Sequence, residues 1–219
     1  MIKAKRNRLD RFGFSFKKGG THTARTMMLE DLSLLLSSVP GSSAVKSDYA
    51  RAIVEDNCLG KRSMRTRALT TEHLVELYAL DPSVTLFRAL LYFWERDPKS
   101  RALLALLCAY CRDPILRISA PFILSLPENT VISSQYMEDV INDKYPDRFS
   151  EATLKSTAKN INATWTKSGH LRGRRKKARS RVDATPGAVS YALFIGYLLG
   201  ERGTLLFQTE YAQLLDCSM

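Results

Sequence analysis

Asp-Pro recurs at 81–82, 97–98 and 113–114, sixteen residues apart each time. Asp is a good helix N-cap, and Pro is well tolerated at the first helical position, where its missing N–H has no partner to lose. Each dipeptide is therefore expected to open a short helix: LFRALLYFWER at 86–96, SRALLALLCAYCR at 100–112 and ILRISAPFILSL at 115–126. A period this short does not fit a solenoid repeat. The simpler consequence is a compact bundle of antiparallel helices with Leu86, Leu90, Phe93, Leu103, Leu106 and Leu107 in its core and a kink at Pro121.

The flanking sequence extends this plan. A helical stripe runs through Met27, Met28, Leu32, Leu35 and Leu36 and closes at Pro40-Gly41. Further helices are predicted over 47–59 and through EHLVELYAL at 72–80. Beyond Pro127, Val131 and Ile132 suit a short strand, and 134–145 suits a helix burying Tyr136, Val140 and Ile141. Ser150 is placed to cap a helix over 151–167, where Leu154, Ala158, Ile161 and Trp165 fall within one narrow arc. Pro186 opens a final long helix, apolar nearly all round.

At 45% hydrophobic and 25% charged residues, the composition is that of an ordinary soluble globular protein, but the net charge of +11 is unusual. Residues 1–18 carry +6 and residues 155–181 carry +10, so the rest of the chain carries 11 − 16 = −5. Positive charge confined to two segments on a mildly acidic body reads as a directed patch. No apolar run approaches the roughly 20 residues needed to span a bilayer, and the basic N-terminus has no signal-peptide core. A membrane location is therefore not expected.

Four cysteines do not make a disulfide framework in a chain this long. Cys108 and Cys111 form a CxxC, but inside an apolar helical run and with no second pair or suitably spaced His, so they are expected to be buried thiols. This usage suits a reducing cytoplasm. His22, His73 and His170 are isolated in sequence and are expected at the surface or at caps. No phosphate-binding loop, zinc-protease or nucleophile-elbow motif is present. No catalytic residue, metal ligand or cofactor site is assigned.

Between Lys155 and Arg181 there are ten Lys and Arg and no Asp or Glu. On the helix of 151–167, Lys155, Ser156, Lys159, Asn162, Thr166 and Lys167 lie away from the apolar arc, the layout of a recognition helix that offers Lys to phosphates and Asn or Thr to base edges. Then follow His170, Arg172, Arg174, Arg175, Lys176, Lys177, Arg179 and Arg181, a basic tract that suits a wing but lacks the apolar alternation of a stable hairpin. The bland alternative is a solvated charged face. Ten like charges repel one another unless an anion offsets them, which favours a nucleic-acid contact. Lys61, Arg62, Arg65 and Arg67 form a second candidate patch, and Lys17 and Lys18 belong to a basic N-terminal arm.

The segment ATLKSTAKNINATWTKSGHLRG (152–173) resembles the signature of the BrxA family of BREX (bacteriophage exclusion) defence systems. VEDNCLGKRSMRTR (54–67), LDPSVTLFRALLYFW (80–94), TPGAVSYALFIGYLLGERG (185–203) and KGG (18–20) are similar to the same family; the basic run 174–181 stands outside its pattern. The resemblance implies a cytoplasmic bacterial protein with a part like the antitermination factor NusB. It also implies double-stranded DNA binding, beside a methyltransferase, a PglZ-type protein and ATPases.

The resulting expectation is a mainly all-α, compact multi-helix bundle with at most a small β-hairpin. It divides into a basic arm (1–20), a helical bundle (21–127), a winged helix-turn-helix-like part (128–187) and C-terminal helices packing back on the core (188–219). Two other functions stay open: RNA binding through a NusB-like surface, and an adaptor that docks other proteins.

Overall fold

The computed structural model describes residues 2–16, 19–39, 41 and 43–217. The chain is mainly helical, with one three-stranded antiparallel sheet. The helices are α1 (Ile2–Phe12), α2 (Leu29–Ser38), α3 (Lys46–Val54), α4 (Met64–Tyr78), α5 (Thr85–Arg96), α6 (Arg101–Arg112), α7 (Pro114–Ser125), α8 (Ser134–Lys144), α9 (Glu151–Lys167), α10 (Pro186–Leu199) and α11 (Glu210–Gln213). The strands are β1 (Val131–Ile132), β2 (Leu171–Arg172) and β3 (Lys177–Arg179), in the order β1-β3-β2.

Helix α6 is the axis of the molecule. Every residue from Leu103 to Cys111 is buried, and α4, α5, α7 and α10 pack around it. Cys108 and Cys111 are buried free thiols here, and burial pushes both up in pKa, which keeps them protonated and unreactive. Of the core residues predicted for the three Asp-Pro helices, Leu86, Leu90, Leu103, Leu106 and Leu107 are buried and Phe93 is half-buried.

Of the three Asp-Pro steps, only Asp113-Pro114 is a true cap: Asp113 Oδ1 accepts from Ile115 N and Leu116 N at 2.9 and 3.1 Å. Asp81 instead closes a turn onto Ser83 N, and α5 begins later, at Thr85. Asp97-Pro98 opens a 3-10 turn that runs into α6, and the Asp97 carboxylate serves a distant helix by accepting from Gly187 N at 2.9 Å. The expected helix before residue 38 is split into a short turn at Thr21–Thr23 and α2, because Met28 adopts a left-handed conformation (φ 50°). Tyr136, expected in the core, is exposed; the buried face of α8 is Met137, Glu138 and Ile141.

The N-terminal segment, expected as a basic arm that docks late, is helical over Ile2–Phe12 and packed against the bundle. Leu9 and Phe14 are buried, Ser15 N donates to Cys111 O at 3.1 Å, and the guanidiniums of Arg112 and Arg117 donate to Gly13 O and Ser15 O. Gly20 (φ 149°) passes so close to Asp113 that a Cβ there would lie 2.4 Å from Oδ1, so no larger residue fits. Lys17 and Lys18 lie outside the described residues.

From α7 onward the order is helix, strand, helix, helix, strand, strand, with β3 between β1 and β2. This order and pairing match the topology expected of a winged helix-turn-helix, with residues 173–176 at the tip of the β2–β3 hairpin, called the wing below.

Candidate nucleic-acid interface

Helix α9 has the bounds its sequence predicted. Ser150 Oγ accepts from Thr153 N, and Ala158, Ile161 and Trp165 are fully buried, with Trp165 Nε1 donating to Ser119 Oγ at 2.8 Å. This fixes the roll of the helix, and so fixes which side chains face outward. Lys155, Ser156 and Lys159 are exposed. Lys155 pairs with Glu151 one turn earlier, and that hydrogen bond raises its pKa.

The wing is held by polar contacts where a longer hairpin would use apolar ones. Leu171 pairs with Arg179 and Arg172 with Ala178, while Val131 and Ile132 pair with Ala178 and Lys177. At Gly173 (φ 103°) a Cβ would lie 2.2 Å from Lys176 O, so the tight wing tip requires glycine. Alternation along β3 turns Lys177 and Arg179 inward. Lys177 Nζ donates to Thr166 Oγ1 at 2.7 Å, and burial lowers its pKa. Arg179 is 3% exposed and makes a two-pronged pair with Asp216, at 3.0 Å (Nη1–Oδ2) and 2.5 Å (Nη2–Oδ1).

These contacts correct four of the residues assigned to the interface. Arg179 belongs to the wing root, with no face left for DNA. His170 is fully buried against Trp165 with its ring nitrogens on Ser168 Oγ and Leu214 O, so it cannot touch a phosphate. Burial pushes its pKa down to about 4, outweighing the pull of the Leu214 carbonyl. Thr166 donates its one hydroxyl proton to Asn162 O and accepts from Lys177, so it has no donor left for a base edge. Asn162 is 4% exposed, roofed by α8 and the wing, and a base in a duplex stack cannot reach it.

The remaining candidates fall into sets. Lys155, Lys159, Arg174, Arg175 and Lys177 surround one cleft of ≈ 480 Å³ between α8, α9 and the wing, with Asn162 at its floor. Arg174, Arg175 and Lys176 are exposed and have no carboxylate partner among the described residues. Arg172 is exposed at the hairpin and donates to Asn129 Oδ1. Arg181 is exposed on a different depression, beside Glu128 and Asp216. Lys167 is paired with Glu30, tying the end of α9 to α2. In the second patch, Lys61 is paired with Asp31 at 2.7 Å and Arg67 donates to Val54 O, so both hold the fold; Arg62 and Arg65 are exposed.

Glu138, Ile132 and Ala163 also line the cleft, and the sequence reading passed over them. An i, i+4 reading of Met137 and Ile141 would have turned α8 by one residue and brought Glu138 inward. His22 too is buried rather than at the surface, held by Asp113 and Thr164. Among the described residues, no cluster of His, Cys, Asp and Glu could hold a metal ion, and no helix is long and apolar enough to cross a membrane. The chain matches no family model, and no curated protein matches it.

Proposed function

We propose that the protein is a non-catalytic double-stranded DNA-binding protein that grips phosphates through α9 and the wing. The observation that carries this reading is the convergence of Lys155 and Lys159 from α9 with Arg174 and Arg175 from the wing around one cleft. In the proposed pose α9 enters the major groove, and the wing tip with Lys176 rests on the flanking backbone. Affinity is then mainly electrostatic and weakly selective for sequence, since the outward groups are cations and one serine.

A duplex of about 30 base pairs, titrated by fluorescence anisotropy at several salt concentrations beside an RNA hairpin of equal length, tests this. With roughly five phosphates neutralised, the log–log salt slope is about −4 to −5. A slope near −1, or tighter binding to the RNA, overturns it. The resemblance of 152–173 to BrxA supports a further step, in which the protein serves a bacterial phage-defence system beside other BREX proteins.

A second reading rests on a different surface. Tyr197, Leu205 and Phe207 are each about half exposed near the end of α10 and in the turn that follows. An adaptor would dock a protein partner there, and capture of that partner would survive high salt and nuclease.

A further inference from the structure

The cleft holds groups that a phosphate-gripping surface does not need. The Asn162 carboxamide oxygen is buried and has no hydrogen-bond partner. A buried acceptor left without a donor is costly, so such a group marks a place that something else fills. Glu138, 7% exposed, lines the same cleft and has no ion-pair partner among the described residues, although five cations line that cleft too. Two of these cations are committed elsewhere, Lys177 to Thr166 and Lys155 to Glu151. The lining of the cleft therefore holds two acceptors without a partner, Asn162 Oδ1 and Glu138, while Arg174 and Arg175 have no carboxylate partner among the described residues. Ile132 and Ala163 supply an apolar wall.

The chemistry that satisfies all three features is a planar group with N–H donors, an apolar face and an attached anion. We propose that this cleft binds one unpaired nucleotide whose base carries an exocyclic amino group. The amino group donates to Glu138 and, once the Asn162 amide turns its covered oxygen into the cleft, to Asn162 Oδ1; the base lies against Ile132 and Ala163, and the phosphate sits on Arg174 and Arg175. A cleft of ≈ 480 Å³ is of the size that takes a small ligand. Cytosine, adenine and guanine offer the amino donor; thymine does not. A base extruded from a strand and a free mononucleotide present the same groups, and the site stands without a paired duplex.

Calorimetric titration of the full chain with dCMP, dAMP, dGMP, dTMP and inorganic phosphate tests the site directly. At least one amino-bearing mononucleotide should bind about tenfold tighter than phosphate and about fivefold tighter than dTMP, the worth of one or two hydrogen bonds. Asn162→Ala, with its fold checked by its unfolding midpoint, should weaken that nucleotide about tenfold; Arg175→Ala, at an exposed position, should weaken it less. Failure of every mononucleotide to exceed phosphate overturns the proposal, as does wild-type affinity in both variants. If the nucleotide binds, a duplex with one bulged cytosine names the source: preference over the paired duplex assigns strands, and equality assigns free nucleotides. Because the titration contains no duplex, its failure is distinct from failure of the duplex reading.

Discussion

His22 and Asp113, 91 residues apart in sequence, meet in the interior with Nδ1 2.8 Å from Oδ2, and neither side chain is more than 1% exposed. Asp113 also accepts from His22 N and caps α7, while His22 Nε2 lies 2.9 Å from Thr164 Oγ1 on α9. Met27 N donates to that same oxygen. The pair thus joins the N-terminal segment, the start of α7 and helix α9. Burial alone would raise the Asp113 carboxyl, but His22 and the backbone N–H groups outweigh it and hold it below the ordinary aspartate value.

Asp113→Ala removes a helix cap and leaves His22 buried without its partner. Loss of about 3–5 kcal/mol is expected in urea unfolding, the cost of breaking a buried hydrogen-bonded pair from one side. A loss below about 1 kcal/mol would show that the pair does not hold the segment.

Acid destabilises the fold through His170. Its folded pKa is about 4 against an ordinary 6.5, so the unfolded chain binds this proton first as pH falls. The contribution is complete above pH 6.5, and it declines between 6.5 and 4, by about 3 kcal/mol in all. His170→Gln should flatten that part of the stability–pH curve, which chemical denaturation at fixed pH steps measures directly.

Arg179→Ala strands Asp216 at the wing root, and Asp216→Ala strands a guanidinium that is 4% exposed. Each should cost about 3 kcal/mol, whereas the double apolar variant Arg179→Met/Asp216→Leu should cost less than either. Hydrogen exchange of residues 177–180 should accelerate in the single variants. Unchanged exchange there would remove the pair from any role in fixing the wing.

Replacing Arg174, Arg175 and Lys176 together with Ala should leave the unfolding midpoint within about 0.5 kcal/mol of wild type, since the three are exposed. Duplex affinity should fall for all sequences alike, and the salt slope should shrink by about two to three. An unchanged slope would put the phosphate contacts elsewhere.

Signals local in sequence were legible. Ser150 with the spacing of Leu154, Ala158, Ile161 and Trp165 gave α9 its residues, and the apolar run around Cys108 and Cys111 gave the central helix. The long-range polar pairs left no such trace: nothing near His22 points to Thr164, 142 residues away. The basic tract looked too polar for a hairpin because a strand's inward positions are usually apolar. Here Lys177 and Arg179 occupy them, the first paired with Thr166 and the second with Asp216. Ten cations equal in sequence are thereby divided into those with partners within the fold, such as Lys155, Lys167, Lys177 and Arg179, and those left exposed without a carboxylate partner among the described residues, such as Arg174, Arg175 and Lys176.

The Arg179–Asp216 pair also sets an order of events during synthesis. Asp216 follows Arg179 by 37 residues, and Leu214, which meets His170 with its carbonyl, follows His170 by 44. A chain growing from its N-terminus can complete α9, pair β3 with β1 and β2 and join Lys177 to Thr166 before the C-terminal anchors of that hairpin exist. The nascent protein consequently presents its cationic loop without the Arg179–Asp216 lock until residue 216 has been made, and a chain cut short before that residue lacks the lock altogether.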